Sequence, residues 1–247
     1  MKYGDIYELG SHRLACGSAT DKNLVDKLIG NRKVRLVLSD VPYGVSYVES
    51  KRGLIKNMDH KVIQNDQKQT DKQYADFTQS WLELIVPHLT RKNAIYIFNS
   101  DKMLFALRDG MLASKVRFTQ LLIWVKTQAV IGRMDYLLQH ELIAYGWHGT
   151  HQFMKSKDKS VLVYPKPSKS KLHPTMKPVG LLRRLVLNSS KVDEYVYDCF
   201  AGSGSLAVAC EQTKRRALLI ELDLSYCQTI VDRWEKLTGL EAKHVKN

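Results

Sequence analysis

The chain has 247 residues, 44% of them hydrophobic, which fits one compact domain with small insertions. Thirty-eight Lys and Arg against twenty-five Asp and Glu leave a formal charge of +13, which suits a polyanionic partner. No run approaches the roughly eighteen apolar residues of a membrane span, and the opening MKYGDIYELG lacks the apolar core of a secretory signal, so a soluble, cytoplasmic protein is expected.

In chain order, Asp21 is placed to cap a helix carrying Leu24 and Leu28, and Val34–Ser39 reads as a buried strand. Gly44–Thr70 is polar and aperiodic. Asp71 can cap a helix whose apolar stripe is Tyr74, Phe77, Trp81, Leu84 and Ile85. Further strands are expected at Ala94–Asn99, Phe118–Val125, Glu141–Trp147 and Ser160–Tyr164, with a lysine-rich loop over Lys155–Leu172. Pro178 suits the first position of a helix to Ser189 that packs Val179, Leu182, Leu185 and Val186 on a sheet. Strands Glu194–Asp198 and Arg216–Glu221 and a helix Leu224–Leu237, ending near Gly239, complete the chain. Strands alternating with amphipathic helices indicate an α/β domain with a largely parallel sheet. The four cysteines, Cys16, Cys199, Cys210 and Cys227, have no metal-binding spacing and read as reduced thiols; no metal is expected.

Two constellations carry chemistry. The first, Ser39-Asp40-Val41-Pro42-Tyr43-Gly44, follows a strand directly, so its polar groups emerge at the carboxyl edge where open α/β sheets bind ligands. A carboxylate such as Asp40 and a neighbouring backbone carbonyl can accept both N–H bonds of an amino group, localising a lone pair that is otherwise delocalised into an aromatic base, while Tyr43 stacks on the ring. A turn that merely ends a strand would explain the same residues. The second is Asp198-Cys199-Phe200-Ala201-Gly202-Ser203-Gly204-Ser205, a strand running into a glycine-rich turn and an apolar helix. Glu221 ends the next strand, nineteen positions after Gly202, where a carboxylate can accept ribose hydroxyls. Gly202, Gly204 and Ala207 also satisfy a dinucleotide fingerprint, which makes a nicotinamide enzyme a competing reading; the twenty-six residues after Glu221 are too few to complete that fold.

Asp40–Tyr43 followed far downstream by Phe200-x-Gly202-x-Gly204 resembles the beta class of DNA amino-methyltransferases, whose motif order is permuted. Gly4–Gly17, Gly132–Trp147 and His173-Pro-Thr-Met-Lys-Pro178 are similar to methyltransferase domains that phages and bacteria carry beside ParB-like domains. The resemblance spans nearly the whole chain. It implies a Rossmann-like methyltransferase fold over residues 1–247, with a mostly parallel seven-stranded sheet, helices on both faces, and insertions near 44–72 and 127–172 as DNA-contacting segments. It further implies S-adenosylmethionine as methyl donor, catalysis by Asp40, the Val41 carbonyl, Pro42 and Tyr43, and a cofactor held around Asp198, Phe200, Gly202, Ser203, Gly204, Ser205 and Glu221. Thr175 and Lys177 match the family's last cofactor motif, with Lys177 paired to the methionine carboxylate. The implied substrate is an adenine N6 turned out of double-stranded DNA; cytosine N4 is the alternative, and a homodimer and a restriction–modification role accompany the family.

The chain departs from that family at Val41, where proline is usual, and with it goes a restraint on the preceding Asp40. A cofactor- and DNA-binding protein of impaired catalysis is therefore a further reading. Cytosine C5 chemistry is set aside, because no Pro-Cys pair occurs. Lys155, Lys157, Lys159, Lys166, Lys169 and Lys171 in one run, and Lys51, Arg52, Lys56 and Lys61 after the catalytic turn, can track phosphates.

Overall fold

The computed structural model describes residues 1–44, 67–129, 135–155, 157–166 and 176–245. Its strands are β1 (Ile6–Leu9), β2 (His12–Cys16), β3 (Val34–Asp40), β4 (Leu89–Asn99), β5 (Val116–Val125), β6 (His140–His148), β7 (Val161–Val163), β8 (Tyr195–Asp198), β9 (Arg216–Glu221) and β10 (Lys243–His244). The helices are α1 (Lys22–Ile29), α2 (Asp71–Ile85), α3 (Leu104–Ala113), α4 (Val179–Ser189), α5 (Ser205–Thr213) and α6 (Leu224–Thr238).

One sheet contains all the strands among the described residues, in the order β10-β1-β2-β9-β8-β3-β4-β6-β5-β7. Only β1 and β6 run against the rest, so the sheet is mostly parallel as the alternating pattern requires. All seven expected strands are present, but the sheet has ten rather than seven. The three extra strands are two to five residues long: β1 and β2 bury Ile6, Leu9, Leu14, Ala15 and Cys16 but are too short for a periodic pattern to stand out, and β10 has only Lys243 and His244.

Both faces of the central strands are covered, and the side-chain alternation shows it. Ala94, Tyr96 and Phe98 of β4 join Leu181, Leu206 and Trp234 of α4, α5 and α6 in one core. Ile95 and Ile97 join Leu28, Trp81 and Leu107 of α1, α2 and α3 in the other. Asp21 caps α1 by accepting from the Asn23 and Leu24 N–H groups. For α2 the cap is Thr70 rather than Asp71: its hydroxyl accepts from the Gln73 N–H while the Gln73 side chain returns to the Thr70 N–H, and this reciprocal pair satisfies two orphan donors where Asp71 alone would satisfy fewer. Pro178 sits one position earlier than expected, as the cap of α4. Gly239 closes α6 with φ 72°, in the left-handed region. All four cysteines are buried and free. No helix among the described residues is long and apolar enough to cross a membrane.

Strands β5 and β6 approach so closely that a methyl group on Gly146 would lie 1.6 Å from the Arg117 carbonyl oxygen. Gly146→Ala is expected to destabilise the protein by about 3 kcal/mol, read as a lowered urea midpoint. An unchanged midpoint would show that these strands part without cost.

Candidate active site

Strand β3 lies between β8 and β4, parallel to both. From β3 the chain passes through α2 on one face to reach β4, and from β8 it passes through α5 on the other face to reach β9. Connections that diverge from adjacent strand ends leave a crevice at the carboxyl edge, the usual ligand site of such sheets. The two sequence constellations flank that crevice. Ser39 joins them: its hydroxyl donates to Asp198 Oδ1 at 2.8 Å and accepts the Cys199 N–H at 3.2 Å.

On the β3 side, Asp40 meets Lys177 and Tyr43. Lys177 Nζ lies 2.5 Å from Asp40 Oδ2 and 3.1 Å from Glu141 Oε2. The Tyr43 hydroxyl lies 3.1 Å from both Asp40 Oδ1 and Glu141 Oε2, and its one proton can serve one carboxylate at a time. Lys126 Nζ lies 2.8 Å from the other Glu141 oxygen. Burial raises the Asp40 carboxyl above its ordinary range; Lys177 opposes the shift and the Glu141 charge adds to it. Burial acts on Glu141 in the same direction, but the combined fields of Lys177 and Lys126 outweigh it and hold Glu141 at about 2. Lys177 stays above its ordinary value despite burial, because Asp40 and Glu141 both favour the ammonium. Two acids and two lysines thus meet in one cluster, with the Tyr43 phenol pushed well above its ordinary value by burial and by both acids.

Val41 is 3% exposed and packs in the core beneath the turn. Pro42 gives its carbonyl to the Tyr74 hydroxyl at 3.0 Å, and Asn99 Nδ2 donates to the same hydroxyl at 3.0 Å. The turn is therefore braced from α2 and β4.

On the β8 side, Asp198 Oδ1 also accepts the Phe200 N–H at 3.1 Å. Phe200 packs against Phe77 and Trp81 of α2, tilted to the first and edge-on to the second, with ring centres 5.8 and 5.7 Å away. Gly204 has φ 76°, and a methyl there would approach Ile230 at 3.0 Å, so both conformation and space select glycine. Arg233 of α6 donates to the Ser203 carbonyl at 3.0 Å and to Ser205 Oγ at 3.2 Å, fixing the turn from outside. Glu221 accepts the Gly202 N–H at 2.7 Å and the Asp223 N–H at 2.8 Å. Burial lifts Asp198 and Glu221 to about 7, against the opposing N–H and O–H donors.

The structure thus gathers Asp40, Tyr43 and Lys177 at one end of the crevice and Asp198 to Glu221 at the other. Lys177, read from sequence as the partner of a cofactor carboxylate, has its ammonium on Asp40 and Glu141. Thr175 lies outside the described residues, as do Lys51, Arg52, Lys56, Lys61, Lys169 and Lys171. Lys155, Lys157, Lys159 and Lys166 are exposed, while Asp158 in their midst is held by Arg184 and Asn188. His151 stacks on Trp147, and Trp124 is buried against Phe98.

Glu141, Lys126, Tyr74, Asn99 and Arg233 were not legible as site residues. Glu141 reaches the site because β6 is antiparallel, which sets its first residues beside the last residues of β4, as in the pair Asn99–Leu142. A charged residue opening an otherwise apolar strand was the available signal.

Residues 34–232, which include both constellations, match the family described as DNA methylase, of the N6/N4 methyltransferase type. The chain belongs to this family. The methylase is 24% identical over 251 residues to the Type II methyltransferase M.HpaI of Haemophilus parainfluenzae, covering 90% of this chain and 73% of that protein. Among solved structures, it resembles the M1.HpyAVI-SAM complex with a TM-score of 0.65 at 20% identity, covering 89% of this chain and 98% of that one. It also resembles the PvuII DNA methyltransferase, described as cytosine-N4-specific, with a TM-score of 0.68 at 12% identity and coverage of 92% and 89%. At these identities the structural likeness speaks to the fold. As a family member the methylase acts on an amino group of DNA, adenine N6 or cytosine N4.

The fold favours a protonated Asp198, whose ordinary value of 3.8 rises to about 7. That contribution is complete below the ordinary value and is lost as pH climbs through about 7. Asp198→Asn keeps an acceptor for Ser39 and Phe200 without the charge. Its Tm relative to wild type is expected to improve by about 2 °C or more between pH 6 and 8.5 in the ligand-free protein. A pH-independent difference, measured by calorimetry, would show that Asp198 is ionised at no cost.

Proposed function

We propose that the methylase transfers a methyl group from S-adenosylmethionine to N6 of an adenine turned out of double-stranded DNA. The observation that carries this reading is the carboxylate–phenol pair of Asp40 and Tyr43 at the end of β3, across the crevice from the glycine turn after β8. The aspartate leading the motif favours adenine; in the amino-methyltransferases that this chain resembles, serine there goes more often with cytosine.

The β8 side suits the cofactor chemically. Phe200 offers an aromatic face, the left-handed glycines expose backbone, and Glu221 and Asp198 are carboxylates able to accept hydroxyl or ammonium donors; the M1.HpyAVI relative is described as a SAM complex. Lys177 belongs to the catalytic side in this assignment. When bound, the cofactor supplies an electrophilic sulfonium methyl.

The remaining work falls to the chain's own residues. Asp40 and the Val41 carbonyl accept the two amino N–H bonds and leave the nitrogen lone pair localised toward the methyl. The residues of the β8 side would hold the cofactor as it releases its methyl to that nitrogen and leaves as a thioether. The methylated nitrogen then carries one surplus proton, and the Asp40 carboxylate, made more basic by burial, takes it up. Tyr43 stacks on the extruded base. The exposed lysines over 155–166 face the phosphates. The Tyr74–Pro42 brace favours a competent enzyme over an impaired one, because it restrains the turn that Val41 leaves without its usual proline.

Purified protein incubated with unmethylated genomic DNA and labelled S-adenosylmethionine is expected to place label in N6-methyldeoxyadenosine, with Asp40→Ala lowering the rate by about a thousandfold. Label in N4-methyldeoxycytidine would move the assignment to the cytosine reading that the PvuII likeness keeps in view; no label on DNA would end it. Tyr74→Phe removes the brace without emptying the core, and is expected to lower kcat about tenfold with little change in Tm. A wild-type rate would show that Val41 and Pro42 hold the turn unaided.

A further inference from the structure

Among the groups around Asp40, Glu141 has more partners than a strand-opening residue requires. Lys126 from the end of β5 holds its Oε1 at 2.8 Å, while Lys177 and Tyr43 both contact its Oε2 at 3.1 Å. Lys126 is itself 5% exposed and lies over the Trp124 ring at 5.3 Å. Two buried lysines and a phenol thus fix the orientation of one carboxylate. Asp40, by contrast, has among the described residues Tyr43 on Oδ1 and Lys177 on Oδ2, and both of these are shared with Glu141. Among the described residues, Asp198 at the end of β8 also feels the charges of Asp40 and Lys177.

Sharing has a chemical consequence. For Asp40 to accept an amino N–H of a base it must weaken its grip on Lys177 or Tyr43. Lys177 is 6% exposed, and a buried ammonium left without a counter-ion is costly enough to hold Asp40 where it is. A second carboxylate already in contact with the same ammonium and the same hydroxyl removes that obstacle. We propose that Glu141, anchored by Lys126, is a positioning residue for methyl transfer: it keeps Lys177 and Tyr43 satisfied while the Asp40 carboxylate turns to the amino group of the target base. The proposal rests on the function proposed above. In a purely structural role, Glu141 would matter for stability but not for whether Asp40 is free.

Two arms test it. The first needs no activity: Lys177 acetylation by an N-hydroxysuccinimide ester of acetate is followed by peptide mass spectrometry in the full chain. In Asp40→Asn, Glu141 still holds the ammonium, and Lys177 is expected to react within about threefold of wild type. Adding Glu141→Gln should speed its labelling about tenfold, as one pKa unit would. The second arm measures turnover on genomic DNA. Glu141→Gln is expected to lower kcat about thirtyfold while KM for DNA and the calorimetric Kd for S-adenosylmethionine stay within about twofold. Should Glu141→Gln unfold, as thermal melting would show, Lys126→Gln loosens the same carboxylate from behind and should lower kcat several-fold. Equal Lys177 labelling with and without Glu141, or unchanged kcat in these variants, overturns the proposal. A wild-type enzyme that methylates no DNA instead defeats the proposed function, and the labelling arm still decides whether Glu141 holds Lys177.

Discussion

The lateral pairing of β3 with β8 is the constraint on which the rest of the site depends. It brings Ser39 within hydrogen-bond distance of Asp198, 159 positions along the chain, and so fuses two turns that are remote in sequence into the walls of one crevice. Parallel pairing matters here, since it sends both strands toward the same edge. The helices then leave on opposite faces, α2 behind one turn and α5 behind the other.

The two walls handle buried charge differently. On the β3 side each acid has a lysine partner, which outweighs burial at Glu141 and opposes it in part at Asp40, and the polar network can be rigid. On the β8 side Asp198 and Glu221 are steadied mainly by backbone N–H groups and one hydroxyl, which is why burial carries both to about 7. Carboxylates in that condition gain from any cation or strong donor that enters the crevice. Unpaired acids face paired ones across the gap, an asymmetry suited to a site that receives different chemical groups at its two ends.

Val41 shows how a departure in sequence can be absorbed in three dimensions. Its side chain is part of the core under the turn, and the carbonyl one position later is tied to Tyr74, itself tied to Asn99. Proline restrains a turn through its own ring; here hydrogen bonds from α2 and β4 supply restraint from outside.

The sequence alone determined the α/β class, the seven principal strands, the Asp21 cap and the two strand-to-turn motifs, because each depends on local periodicity or on residues adjacent in the chain. It also placed Asp40 and Asp198 at strand ends. Tertiary structure decided what periodicity cannot carry. Strands β1, β2 and β10, at one side of the sheet, are two to five residues long, too short for periodicity to mark them although β1 and β2 bury apolar side chains, and pairing with neighbours defines them. Glu141 and Lys126 enter the site only because β6 runs antiparallel beside β4 and β5 ends at the same edge. Lys177 lies 137 positions from Asp40, and its choice of the Asp40 carboxylate was fixed by where the entry to α4 meets the end of β3. Charge pairing across such separations depends on distance in space, and only the folded sheet sets that distance.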